Sequence, residues 1–289
     1  MKILVLGGTR FFGKRLVDLL IEEGHDVTIV TRGITADSFG KMVQRMKVDR
    51  EDKIQLKQAI GDQKWDVVYD NICYSPQTAL EACELFKGKV SHYIFTSSLS
   101  VYHSQKEKLT EQDFNPYTYP IEQGPKENFS YSEGKRLAEA VFYQQAEFPV
   151  SAVRFPIVLG TDDYTKRLHF HIDHVKEDLP IGVPNKDAVM SYIQSDEAAQ
   201  FLQWLSKSRI EGPINACSNG ELSLKEILTL IEREVGKTAI IQDETNKQNQ
   251  SPFGAKENNV MANDKAKEAG FEFNDLHEWF PRLVGELAE

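Results

Sequence analysis

Basic charge is what this chain lacks most. Lys and Arg number 34 against 44 Asp and Glu, a formal net charge of −10 at pH 7. A face that grips a phosphate backbone needs the opposite balance, so nucleic acid is not expected as a partner. Cysteine is scarce as well. Cys73, Cys83 and Cys217 are too few and too scattered for a disulfide framework, and none belongs to a CxxC pair. No apolar run approaches the roughly 20 residues that cross a bilayer. The opening MKILVLGG is too short for the core of a signal peptide and runs straight into a glycine turn. Repeats and low-complexity tracts are missing too. These absences together predict a cytoplasmic protein with no membrane association and a small molecule as its partner.

What is present is a chain of 289 residues, 40% hydrophobic and 10% aromatic. That is enough apolar material for a sizeable core, which excludes a wholly disordered chain. At roughly 150 residues per unit the length suggests about two units, which can share one sheet. The first half alternates strand and helix signals. Residues 2–6 are an apolar run ended by Gly7-Gly8, and Leu16, Leu19, Leu20 and Ile21 form a helical stripe closed by Gly24. Strands are expected over residues 25–30, 46–48, 65–69 and 93–96, and helices over 37–45, 52–60 and 77–86. This rhythm predicts an α/β fold, a Rossmann-type doubly wound parallel sheet with helices on both faces.

Residues 101–129 break the rhythm with Pro116, Pro120 and Pro125 and read as a surface excursion. The pattern resumes with a helix over 131–145 and a strand over 150–154. Further helices are expected over 195–206 and 223–235, the second opening on a Ser223–Glu226 capping box. Residues 246–259 are polar and are expected to be mobile. Leu276, Phe280 and Leu283 form the stripe of a closing helix.

Two constellations carry chemistry. Gly7, Thr9, Arg10, Phe11, Phe12 and Gly13 lie in the turn between the first strand and the first helix. Unpaired N–H groups at a helix start suit a pyrophosphate, with Gly7 permitting the tight turn and Gly13 the close helix. NAD binding usually places an acid at the end of the second strand; Thr31-Arg32 stands there instead. Arg10 and Arg32 are suited to grip a 2′-phosphate, so NADP is the expected cofactor and NAD the alternative. Further on, Tyr131 and Lys135 are four residues apart on one helix face. A nearby ammonium stabilises phenolate and so tunes a tyrosine for proton exchange with an alcohol or carbonyl. Ser98 follows the fifth strand, at the sheet edge where ligands bind, and is placed to hold the substrate oxygen. His169, His171 and His174 make no HExxH pattern, so no metal site is expected, and the histidines read as substrate contact or plain surface. Nothing beside Cys73 would activate its thiol.

The stretches GGTRFFG (7–13), FTSSLSVY (95–102), YSEGK (131–135), RFPIVLG (154–160), SYIQSDEAAQ (191–200) and INACSNGELSLKEI (214–227) together resemble the short-chain dehydrogenase/reductase superfamily. They are most similar to its extended NAD(P)-dependent epimerase/dehydratase branch. The resemblance implies a Ser98-Tyr131-Lys135 catalytic set, with Lys135 also on the nicotinamide ribose. It implies Asp49 and Arg50 at the adenine end, Asn71 where the backbone lines the cofactor, and Phe155 where the chain passes the nicotinamide. It further implies a Rossmann domain over residues 1–160, rejoined around 187–210, and a smaller C-terminal α/β portion over 161–289 that is mainly substrate-binding. Dimers are common in proteins of this resemblance, so a homodimer is open.

Three departures qualify the match. Arg10 replaces the middle glycine of the branch's GxxGxxG. That opening resembles an atypical GGTRF-type subgroup which includes chloroplast stem-loop-binding proteins that handle RNA. Leu99 and Ser100 stand where sugar 4,6-dehydratases carry an Asp-Glu pair, which rejects that reaction. The tyrosine helix begins late, after the Pro-bearing excursion. The expected activity is that of an NAD(P)-dependent oxidoreductase or epimerase (isomerase) acting on a secondary alcohol or ketone, such as that of a nucleotide-sugar. The sequence does not separate epimerase from reductase. The alternative is a non-catalytic nucleotide-binding or RNA-handling protein.

Overall fold

Strand β1 (Lys2–Leu6) is buried at every residue but its first. Such a strand must be covered on both faces, and the chain provides the covers in order. The computed structural model describes residues 1–103 and 107–289. After β1 come α1 (Phe11–Glu22), β2 (Asp26–Thr31), β3 (Val43–Lys47), α2 (Lys53–Ile60), β4 (Trp65–Asp70), α3 (Pro76–Phe86) and β5 (Val90–Ser98). The excursion follows, then α4 (Tyr131–Gln145), β6 (Val150–Phe155), β7 (Ile157–Leu159), α5 (Arg167–Lys176), β8 (Pro180–Gly182), β9 (Val189–Met190), β10 (Tyr192–Gln194), α6 (Ser195–Ser208) and β11 (Gly212–Asn215). The last elements are β12 (Leu222–Ser223), α7 (Leu224–Val235), β13 (Ile240–Gln242), α8 (Asp264–Glu268) and α9 (Leu276–Ala288).

Seven strands form one sheet in the order β11-β6-β5-β4-β1-β2-β3, every neighbouring pair parallel. Apolar residues of α1 and α6 pack on one face, and those of α2, α3 and α4 on the other. The strand order reverses between β1 and β4, and a crevice opens there beyond the carboxyl ends of the strands. A third core joins α5, α7 and α9 with Tyr192 and Phe253, so the C-terminal elements have an interior of their own.

Three expectations are corrected. Residues 37–45 form no helix; they turn and enter β3, whose outer position leaves most of its side chains exposed and so gives it a polar sequence. The excursion is not a surface feature throughout. Leu109 and Phe114 are buried with Val101, Tyr102, Cys217 and Met261, and Leu109 bridges to Met261; its residues 104–106 lie outside the described residues. Residues 246–259 pack instead of hanging free. The Asn249 side chain donates to Gln242 Oε1 and the Glu244 carbonyl at 3.2 and 3.1 Å, and Phe253 is buried.

Candidate coenzyme crevice and active site

The turn after β1 is built on two close approaches. Gly7 has φ +86°, a left-handed conformation that side chains disfavour. A Cβ on Gly13 would lie 2.5 Å from the Gly7 carbonyl oxygen, so only glycine lets α1 start this close to the strand. Phe11, the first residue of α1, also sits at φ 52°, a conformation costing about 1–3 kcal/mol that the surroundings must hold. Its ring is held edge-on by Phe12 at 5.8 Å and Tyr164 at 6.2 Å.

The crevice at this turn has a volume of about 370 Å³. Gly7, Thr9, Arg10, Phe11, Phe12, Gly13, Arg32, Asp49, Arg50 and Asn71 all line it. Arg10 donates to Thr35 Oγ1 at 3.0 Å and lies over the Tyr164 ring; Arg32 is exposed. Tyr74, Tyr164, Lys126 and Glu51 also line it and were not anticipated. Lys126 pairs with Glu51 at 2.7 Å, so the far end of the excursion meets the crevice rim.

Arg50 is buried and is tied into the sheet as well as lining the crevice. Its Nη2 and Nε donate to Asp70 Oδ2 at 2.7 and 3.2 Å, and Nη2 also to the Thr78 carbonyl. Tyr93 donates to the same Asp70 oxygen. Burial opposes the guanidinium's charge, but Asp70 more than offsets it and raises the Arg50 pKa. Arg50 Nη1 is buried with no hydrogen-bond partner among the described residues. An orphaned donor on a side chain that lines a glycine-bearing cleft is what an anionic or hydroxyl-bearing ligand would satisfy. The cradle therefore fits a dinucleotide.

Asn71 ties the turn to the next strand. Its Nδ2 donates to the Gly7 carbonyl at 3.4 Å, and its Oδ1 accepts from Thr96 Oγ1 at 2.7 Å. Lys135, only 1% exposed, donates to the carbonyls of Cys73 at 2.8 Å and Thr96 at 2.7 Å. Its Nζ lies 4.4 Å from the Tyr74 ring centroid and 5.9 Å from that of Tyr131. Tyr131 is 55% exposed at the start of α4, where Ser130 Oγ accepts the Glu133 N–H. Ser98 Oγ accepts the Ser100 N–H at 3.2 Å, which leaves its own hydroxyl proton free for another acceptor. Thus Tyr131, Lys135 and Tyr74 cluster beside the crevice. Ser98 stands at the end of β5, and neither it, Tyr131 nor Lys135 is among the crevice-lining residues. Phe155 is buried against Phe12 and Phe201 and does not line the crevice either.

The remaining candidates are structural. Burial and the Asp70 charge push the Cys73 thiol up to about 12, an unreactive state. His171 is neither surface nor an evident substrate contact: it is fully buried, its Nδ1 2.9 Å from the Arg167 carbonyl and its Nε2 2.7 Å from Ser251 Oγ. Burial lowers its pKa to about 3.

Comparison with known proteins agrees with this architecture. The chain is 29% identical over 225 residues to the chloroplast stem-loop binding protein of 41 kDa b of Arabidopsis thaliana, covering 72% of this chain and 56% of that protein. It is 24% identical over 268 residues to UDP-glucuronic acid decarboxylase 1 of Danio rerio, covering 83% and 62%. The chain thus spans about three fifths of the length of these curated relatives. The structure of the Thermus thermophilus UDP-glucose 4-epimerase complex with NAD superposes with a TM-score of 0.75 at 18% identity, covering 100% of this chain and 99% of that one. The model of the NAD dependent epimerase/dehydratase family matches residues 3–216, from β1 to just past β11, and the chain belongs to that family.

Proposed function

We propose that this chain is an enzyme that binds a nicotinamide dinucleotide, NADP in preference to NAD, and oxidises or reduces a secondary alcohol or ketone. The observation that carries the reading is the buried Lys135 one helical turn from Tyr131, beside a crevice with a glycine cradle and an orphaned arginine donor. When bound, the nicotinamide supplies or accepts hydride. Gly7, Thr9, Phe12 and Gly13 present backbone to the pyrophosphate, Arg50 Nη1 donates from the crevice lining, and Arg10 and Arg32 hold the 2′-phosphate. Tyr131 exchanges the proton with the substrate oxygen. Ser98 donates its free hydroxyl proton to that oxygen. Lys135 supplies a fixed positive charge beside the phenol.

The C-terminal portion supplies the substrate wall. A groove of about 410 Å³ starts at Leu99, the neighbour of Ser98, and runs between Ile157, Met190 and residues 250–255. His171 holds Ser251, and Lys247 brings the groove's one charged side chain among the described lining residues. The UDP-sugar enzymes among the relatives favour a nucleotide-linked sugar as substrate. Titration with NADPH and NADH, followed by fluorescence, tests the reading. Tighter NADPH binding is expected, and a preference for NADH would contradict the roles of Arg10 and Arg32. Tyr131→Phe should abolish turnover while leaving binding intact.

The likeness to the chloroplast stem-loop binding protein favours one second reading, RNA handling. The net charge of −10 weighs against it. RNA affinity measured against salt separates the two, a steep loss with salt marking phosphate contacts.

A further inference from the structure

Helix α4 is covered on every side along most of its length. A helix laid on a sheet ordinarily hides one face and wets the other, yet every residue from Gly134 to Phe142 is buried. Two of the covers are the sheet and α3. Lys135 reaches the Thr96 carbonyl and Glu139 receives Arg154, while Ala138, Val141 and Phe142 share a core with Ala79, Ala82 and Cys83 of α3.

The third cover is the excursion. Glu133, Arg136, Tyr143 and Gln144 fall on one stripe of the helix, and each of them meets it. Glu133 accepts from Tyr119 Oη at 2.8 Å. Arg136 donates to the carbonyls of Val101 and Ser100 at 2.8 and 3.3 Å. The Tyr143 ring lies 4.8 Å from that of Tyr117, and Gln144 donates to the carbonyls of Pro116 and Tyr119, both at 2.8 Å. Ile121 packs against the core that α3 and α4 share. Past the helix, the Gln77 N–H at the start of α3 donates to the Gly124 carbonyl at 3.3 Å.

A second copy of this chain would find little to grip here. Among the described residues, the exposed large apolar side chains include none on α3 and, on α4, only Tyr131 at its start. A stable subunit interface buries more than about 1,000 Å² around an apolar centre. We propose that the segment from Pro116 to Lys126 is a strap that fills, within one chain, the place on α4 that a partner subunit would take, and that the protein is a monomer. The excursion thereby closes the helix that carries Tyr131 and Lys135 without help from a second subunit. This holds independently of any coenzyme.

The test is the mass of the full chain by sedimentation velocity between about 1 and 100 µM, since self-association follows mass action. Wild type and the double variant Tyr117→Ser with Tyr119→Ser are compared. Wild type should keep the single-chain mass throughout. The variant loses the ring contact to Tyr143 and the bond to Glu133, so its strap lifts and α4 is uncovered. Its mass should climb with concentration toward twice the single-chain value, self-association being at least about tenfold tighter than in wild type. A wild-type dimer anywhere in this range overturns the proposal, and so does a folded variant that keeps the single-chain mass at the highest concentration. Urea unfolding curves report whether the variant is folded. If it is not, Tyr117→Ser alone, at a side chain already 53% exposed, is measured in its place under the same criterion.

Discussion

Two buried arginines, one beneath the crevice and one beneath the excursion, are built alike and finished differently. Arg154 pairs with Glu139 at 2.6 Å, both side chains fully buried. It also donates to Tyr102 Oη and to the carbonyls of Glu111 and Phe114. Ser97 donates to the same carboxylate. All five guanidinium protons have acceptors, and three of those acceptors, on Tyr102, Glu111 and Phe114, belong to the excursion. Arg50 pairs with Asp70 as closely, yet its Nη1 is buried with no partner among the described residues, in a side chain that lines the crevice. A complete network rigidifies, whereas an incomplete one at a cleft wall marks where a ligand completes it. The first pair is complete; the second leaves one donor over, beside a crevice.

The largest effect should come from breaking the complete pair. Glu139→Leu leaves Arg154 charged and unpaired in the core, and a loss of about 3–5 kcal/mol is expected in denaturant unfolding. A loss below about 1 kcal/mol would show that the pair is not what holds the excursion.

Acid titration separates the pairs from the buried histidines. Burial lowers His92 to about 4 and His171 to about 3. Above about pH 6.5 both are neutral in the folded and unfolded chain and contribute no pH dependence. As pH falls below about 6.5 the unfolded chain takes up protons that the native state refuses, so stability falls by about 1.4 kcal/mol per pH unit for each histidine, or about 2 kcal/mol each by pH 5. Thermal unfolding at pH 7 and pH 5 should show this slope. His171→Gln should flatten it by roughly half, and an equal slope in that variant would assign the acid loss to the carboxylates instead.

The smallest effects draw the contrast most sharply. Arg154→Lys should cost about 2 kcal/mol and leave coenzyme affinity untouched, since lysine cannot reproduce the planar fork. Arg50→Lys keeps the charge beside Asp70 and should cost about 1 kcal/mol, with coenzyme Kd rising severalfold because the free donor is gone. Matching losses of coenzyme affinity in the two variants would erase the distinction.

Much of this frame was legible in the residues, for physical reasons. Helix α4 begins and ends where its pattern predicted, because Ser130 is a true cap. The Ser223–Glu226 box is present in both directions. The glycine turn was readable because close backbone approach leaves few alternatives to glycine. β3 was not, since an outer strand with mostly exposed side chains carries a polar sequence. The excursion hid its anchors, because Leu109 and Phe114 are buried by residues from far along the chain and follow no local period. Tyr74 gave no signal either. Its place in the crevice wall goes with Gly134 letting α4 lie against its backbone, a contact between residues 60 apart in the chain.

The Lys126–Glu51 pair at the crevice rim gives the inserted segment an exposed point of attachment besides its buried ones. Arg154 bolts one end of that segment to the interior, and Lys126 clasps the other end to the doorway of the cleft. The two joints answer to different solvents: dissolved salt weakens the exposed clasp and leaves the buried bolt alone. A rise in ionic strength would then loosen the clasp alone, because Gln144 still holds the Pro116 and Tyr119 carbonyls and the Gln77 N–H still donates to the Gly124 carbonyl.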